Sequence, residues 1–178
     1  SRGLDIVVSH RVRIGESGTL SNNLAGTFSK TEQVDDIRAS DVLVRTGQVG
    51  TYFDETSKIY LEEAVPRTKF TLSNTYTAGK MNIYLRNTYF GETTEASGGC
   101  IGNPDCINSG KLITDLSFGY ELASNFSVTI GANNLLDIYP DIVDDAFLSS
   151  GRFLYSRRSP QFSFGGRHLF ARMVFTLE

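Results

Sequence analysis

Tryptophan is absent from this sequence, which also holds just two cysteines, two histidines and four prolines among its 178 residues. So few cysteines cannot form the dense disulfide framework of a small secreted scaffold. With two histidines and no cysteine cluster, there is no ligand set for a structural zinc site. No run approaches the roughly 18 apolar residues that a membrane-spanning helix requires. Charge of one sign is lacking too: 17 basic and 20 acidic residues are interspersed for a net −3. That leaves no basic stripe for nucleic acid and no polybasic anchor for an anionic leaflet. The chain opens Ser1-Arg2-Gly3-Leu4-Asp5 and enters an alternating segment at once, without a signal-peptide pattern. A cytoplasmic protein, or an internal piece of an exported one, would begin this way.

Apolar residues make up 40% of the chain and aromatics 11%, enough for a packed structure, and the 17 glycines suit many strands and turns. Read for period two, seven segments emerge: residues 2–14, 19–32, 68–77, 80–91, 111–122, 126–136 and 164–178. In the first, Leu4, Ile6, Val8, His10, Val12 and Ile14 oppose Asp5, Ser9, Arg11 and Arg13. In the fifth, Leu112, Leu116, Phe118, Tyr120 and Leu122 oppose Asp115, Ser117, Gly119 and Glu121. No helical period competes with this pattern.

Short links, Gly15-Glu16-Ser17-Gly18, Ala78-Gly79 and Ala123-Ser124-Asn125, alternate with long ones at residues 33–67, 92–110 and 137–163. Matching apolar residues across the short turns pairs Ile14 with Leu20, Tyr76 with Met81 and Leu122 with Phe126. The charges Asp5, Arg11, Arg13, Lys69, Arg86, Asp115, Glu121 and Arg172 all fall on the polar face. Lys30 and Arg167 fall on the apolar face, both at strand ends. Aromatics gather near both ends of the apolar face: Tyr76, Tyr120 and Phe126 by the short turns, Phe28, Phe70 and Tyr89 by the long loops. Short turns on one rim, long loops on the other and two aromatic girdles describe an all-β, antiparallel transmembrane β-barrel segment of about seven strands. An odd strand number marks it as part of a larger barrel, because single-chain bacterial barrels have even counts. The competing architecture is a soluble, lipocalin-like ligand-binding β-barrel, apolar inside and normally closed on eight strands.

Several stretches resemble the C-terminal barrel region of TonB-dependent outer-membrane receptors. The fullest runs from Thr114-Asp115-Leu116-Ser117 to Asn125-Phe126-Ser127-Val128-Thr129-Ile130-Gly131-Ala132-Asn133-Asn134-Leu135-Leu136-Asp137. Gly165-Gly166-Arg167-His168-Leu169-Phe170-Ala171-Arg172-Met173-Val174-Phe175-Thr176-Leu177 is similar to that family's last strand. Glu62 to Pro66 followed by Lys69-Phe70-Thr71-Leu72 resembles its passage from long loop to strand, and Ser1 to Asp5 a strand start further upstream. The resemblance implies that residues 1–178 are the last seven strands of a 22-stranded barrel, with the plug domain and signal peptide outside this chain. It further implies a bacterial outer-membrane location with extracellular long loops and a periplasmic C-terminus. The expected partners are outer-membrane lipid, the TonB complex acting through the N-terminal part, and an extracellular ligand such as a ferric siderophore, with oligosaccharide or cobalamin as other cargo.

No catalytic constellation, cofactor motif or metal-ligand spacing is found. His10 is expected at an interface or groove, and the acidic run Asp137, Asp141, Asp144 and Asp145 as a solvated loop rather than a Ca²⁺ site. Arg86, Asp115, Glu121 and Arg172 are expected to pair with one another or with a plug. Arg152, Tyr155, Arg157 and Arg158 are the candidate ligand-binding residues, because Arg forks and Tyr rings suit anionic, aromatic ligands. The competing role for these four is to tie their loop to its neighbours. Cys100 and Cys106, six positions apart around Gly102-Asn103-Pro104-Asp105 in a loop outside the cytoplasm, are expected to form a disulfide.

Overall fold

The computed structural model describes residues 1–35, 38–144 and 152–177. Its main body is a single antiparallel sheet in which seven strands follow one another in sequence order. They are β1 (Arg2–Ile14), β2 (Gly18–Lys30), β3 (Thr68–Ala78) and β4 (Met81–Phe90), then β7 (Lys111–Ala123), β8 (Phe126–Asn133) and β9 (His168–Phe175). Two short strands, β5 (Thr93–Thr94) and β6 (Ile107–Asn108), form a separate hairpin in the second long connection. All seven expected strands are present. β8 and β9 are shorter than their alternating segments, ending at Asn133 and beginning at His168.

Register carries a row of apolar residues across the whole sheet. Val12 stands opposite Leu20, Leu20 opposite Tyr76, Tyr76 opposite Ile83, Ile83 opposite Phe118, Phe118 opposite Ile130 and Ile130 opposite Ala171. The pairings expected from the sequence are shifted. Ile14 faces Gly18 and Ala78 faces Met81, so in each hairpin one partner lies two residues nearer the turn than apolar matching suggested. Gly15 at φ +66° and Gly79 at φ +54° permit these tight turns. In the third hairpin Ala123 faces Phe126, with an irregularity between Glu121 and Ala123 that leaves Leu122 unpaired. A shift of two residues preserves the face, which is why the face assignment survives while the partners change.

Nothing covers the apolar face among the described residues. Leu112 is 50% exposed, Leu116 37%, Ile130 53% and Leu169 72%, values that no soluble core tolerates. Nor do β1 and β9 pair to close a small barrel, as a lipocalin-like fold would require. Among the described residues, no helix is long and apolar enough to cross a membrane. A sheet with one fully open apolar face and one polar face matches a barrel wall, with lipid outside and a polar lumen within.

The first long connection carries short helices that the period-two reading did not address. It contains α1 (Asp41–Arg45), α2 (Val49–Tyr52) and α3 (Glu55–Glu62). Each is too short for an apolar period to register. The local signal was capping: Ser40 accepts from Leu43 N at 3.5 Å, and Asp54 accepts from Ser57 N at 2.8 Å. The amide and hydroxyl of Ser57 hold the Asp54 carboxyl below its ordinary range.

Candidate ligand-capture site

The buried apolar cluster lies in the long connections instead of beneath the sheet. Ile59 of α3, Ala64, Ala96, Cys100 and Cys106 form it, drawn from the first and second loops. Cys100 and Cys106 are joined by the expected disulfide, with their Cα atoms 5.5 Å apart. Glu55 at the start of α3 accepts from the amides of Gly99 (2.9 Å) and Ile101 (3.0 Å) beside that bridge. Those two amides hold the Glu55 carboxyl below the usual glutamate range. Thr94 donates its amide to Glu63 O (3.0 Å) and its hydroxyl to Glu63 Oε2 (2.6 Å).

The third loop is fastened to the second in the same way. Ser159, 1% exposed, accepts from Ala96 N through Oγ and from Thr93 Oγ1 through its carbonyl, each at 3.1 Å. Gln161 Nε2 donates to the carbonyls of Gly91 (2.6 Å) and Ser109 (3.0 Å). Asp141 takes Ser109 N (2.6 Å) and pairs with Lys111 (2.5 Å). Burial raises the Asp141 pKa, but Lys111 and Ser109 outweigh it, and the net shift is downward. Three loops thus form one cap on the long-loop rim. Changing Cys100 and Cys106 together to Ala should weaken this cap by about 2 kcal/mol, since the bridge closes a short loop. Hydrogen exchange at the Thr94 and Ala96 amides should then rise while the strand amides keep their protection.

The candidate residues of the third loop separate into two roles. Arg158 is half-buried and donates from Nη1 to Ala96 O (2.8 Å) and Ser97 Oγ (2.9 Å), so it braces the cap. Tyr155 lies between Tyr139 and Phe164, with ring centroids 6.0 and 6.3 Å away and interplanar angles of 15° and 24°. The charge of Asp137 raises the Tyr139 pKa. Arg157 is exposed and lies over the Phe153 ring at 5.4 Å. Arg152 is exposed as well. Tyr139, Tyr155 and Phe164 therefore form a stacked aromatic ledge, Arg157 stacks separately on Phe153, and Arg158 stands apart from both.

The acidic run does not converge. Asp137 accepts from Arg167 N at 2.7 Å, Asp141 belongs to the Lys111 pair, and Asp145 lies outside the described residues. No metal-holding group of His, Cys, Asp or Glu occurs among the described residues. On the polar face, the expected pairing holds for Arg86 and Asp115 at 2.6 Å. Sequence reasoning missed a cavity of about 480 Å³ beneath the third loop, where Phe162 and Ser163 face Arg86, Asp115 and His168. Phe162 packs there on Phe90 at 5.6 Å. An aromatic such as Phe90 on an otherwise polar strand face was the available signal.

A seven-stranded meander with an open apolar face and a loop cap on one rim defines a segment of a transmembrane β-barrel. Solved structures share this fold. The ferric enterobactin receptor PfeA of Pseudomonas aeruginosa (mutant G324V) matches 97% of the chain at 16% identity and a TM-score of 0.55. The ferric-catecholate import receptor Fiu of E. coli K12, closed form, matches 98% at 18% identity and a TM-score of 0.56. A further PfeA mutant, in complex with enterobactin, matches 95% at 15% identity and a TM-score of 0.52. The chain spans about a fifth of the length of these receptors, 22%, 20% and 22% respectively. No protein-family model and no curated protein matches it. The sequence resemblance to receptor barrels is thus borne out at the level of the fold.

Proposed function

We propose that this chain is the C-terminal part of the barrel of a TonB-dependent outer-membrane receptor that imports an extracellular ligand, a ferric siderophore or another iron complex. The observation that carries the proposal is the pairing of an uncovered apolar sheet face with a welded loop cap bearing the Tyr139–Tyr155–Phe164 ledge. Flat conjugated groups stack on such rings, and Arg152 and Arg157 supply positive charge for an anionic complex. The fold shared with PfeA and Fiu supports the same class. In this reading the cap is extracellular, the short turns and the C-terminus are periplasmic, and the TonB complex acts through the N-terminal part of the receptor. Capture involves no covalent chemistry.

The test is titration of the full-length receptor in detergent with a ferric catecholate complex, cobalamin and an oligosaccharide in turn. Saturable binding of the iron complex is expected, weakened roughly tenfold by Arg157→Ala through loss of a charge-assisted contact. Arg158→Ala should instead raise exchange at Ser97 and its neighbours. Binding of cobalamin or oligosaccharide alone would move the cargo assignment, and uptake independent of the TonB complex would remove the class.

A further inference from the structure

The open apolar face is interrupted in one place. His10, Asn22 and Asn74 sit side by side on β1, β2 and β3, each on the apolar face. Asn22 Nδ2 donates to His10 Nδ1 (3.4 Å), and Asn74 Nδ2 donates to Asn22 Oδ1 (2.7 Å). One position further along, Asn87 on β4 and Thr114 on β7 stand opposite each other, and Thr114 Oγ1 donates to Asn87 Oδ1 at 2.8 Å. Apolar side chains flank the stripe on both sides along the strands: Val8 and Val12, Leu20 and Leu24, Leu72 and Tyr76, Leu112 and Leu116. It therefore lies within the apolar belt, away from the headgroup levels where polar groups are cheap.

These bonds leave much of the stripe unspent. A primary amide has two N–H donors and an oxygen with two lone pairs. Asn22 keeps one N–H, Asn74 keeps one N–H together with its Oδ1, Asn87 keeps both N–H groups, and His10 keeps Nε2. None of these atoms is buried within the chain. Against hydrocarbon, each unpaired group costs free energy. Donors and acceptors occur together, so the stripe is complementary to itself. Asn74 is the pivotal member, because two primary amides related by a two-fold axis form a reciprocal pair of N–H···O bonds.

We propose that this stripe is the contact through which a second copy of the receptor docks side by side in the membrane, with Asn74 next to the two-fold axis. The proposal rests on the membrane-barrel reading above. It calls for uncharged hydrogen bonds between apolar belts, the chemistry that polar residues use to join spans in lipid.

The experiment uses the full-length receptor in lipid vesicles, with insertion read by protease protection and heat-modifiable migration, and self-association by energy transfer between labelled copies. Inserted wild-type protein should be dimeric, and Asn74→Leu should reduce the dimer-to-monomer ratio roughly five- to tenfold. Asn74→Cys should be joined to its own copy by a short bifunctional thiol reagent, whereas Ile130→Cys, on the same face but three strands away, should not. This arm holds even if Asn74→Leu fails to insert. Inserted protein that stays monomeric at every density, or crosslinks equally at both positions, overturns the docking proposal and leaves the barrel reading intact. Protein that does not insert overturns both.

Discussion

Leu116→Arg should destabilise the inserted barrel by about 2–4 kcal/mol, the cost of a cationic side chain on the lipid face near mid-membrane. Leu116 stands between Leu85 and Ala132 on the apolar face, 37% exposed in a sheet whose face none of the described residues covers. An arginine there has no carboxylate within the belt to pair with, and Leu116 lies too far from the strand ends to reach water easily. Ser127→Arg is the matched control. Ser127 is on the polar face opposite Glu121, so the new guanidinium enters the lumen beside an opposite charge. The measurement is denaturant titration of full-length protein refolded into lipid vesicles, with the heat-modifiable gel shift as the readout of folding. Comparable losses for the two variants would sink the assignment of faces.

Asp115→Ala should cost about 3 kcal/mol, because one buried carboxylate serves both the Arg86 guanidinium and the Asn134 amide. Asp115 is 8% exposed. Its Oδ2 takes the Nε and Nη2 of Arg86 at 2.8 and 2.6 Å, and its Oδ1 takes the amide of Asn134 at 2.8 Å. Asn134 opens the Asn-Leu-Leu-Asp turn at φ +50°, and its side chain accepts from Ile138 N (2.9 Å) and donates to Ile138 O (2.7 Å). Asp137, at φ +59°, closes the turn and takes Arg167 N from the far end of the same loop. The motif that carried the family resemblance is thus a clamp that fixes where the third loop leaves and rejoins the wall. In the Ala variant, exchange should rise first at Asn134 and Leu135. Asp115→Asn, which can still accept from Asn134 but carries no charge for Arg86, should lose about half as much. Unchanged stability in both variants would show that the clamp is dispensable.

The wall of the barrel was legible because each strand alternates and the charges keep to one face. Periodicity determines which face a residue takes, but it does not determine its partner. Leu20 matched Ile14 as well in the sequence as it matches Val12 in the structure, and turn geometry at Gly15 chose between them. The bulge at Leu122 has no signature in an alternating run. The cap was hidden for a different reason. Ile59, Ala96 and Cys106 come from two loops, and Gln161 reaches Gly91 across 70 positions, so no local window contains the pattern. The disulfide was visible because its partners are near in sequence. For the same reason Arg158 could be named from its residue type, whereas its bracing role became clear once Ala96 and Ser97 were placed beside it.

Because the cap is one body, its three loops cannot vary independently. Surface loops are commonly the part of a protein that varies most, as they tolerate insertion and replacement. Here an insertion between Glu92 and Ser97 would displace the amides and carbonyls that hold Ser159 and Arg158, and would disturb Glu63 on the opposite side. Exchanging one loop with that of another barrel of this fold should therefore fail where exchanging all three succeeds. Drift at this surface is then constrained to proceed by matched changes, with Ser159 and Gln161 the slowest to change.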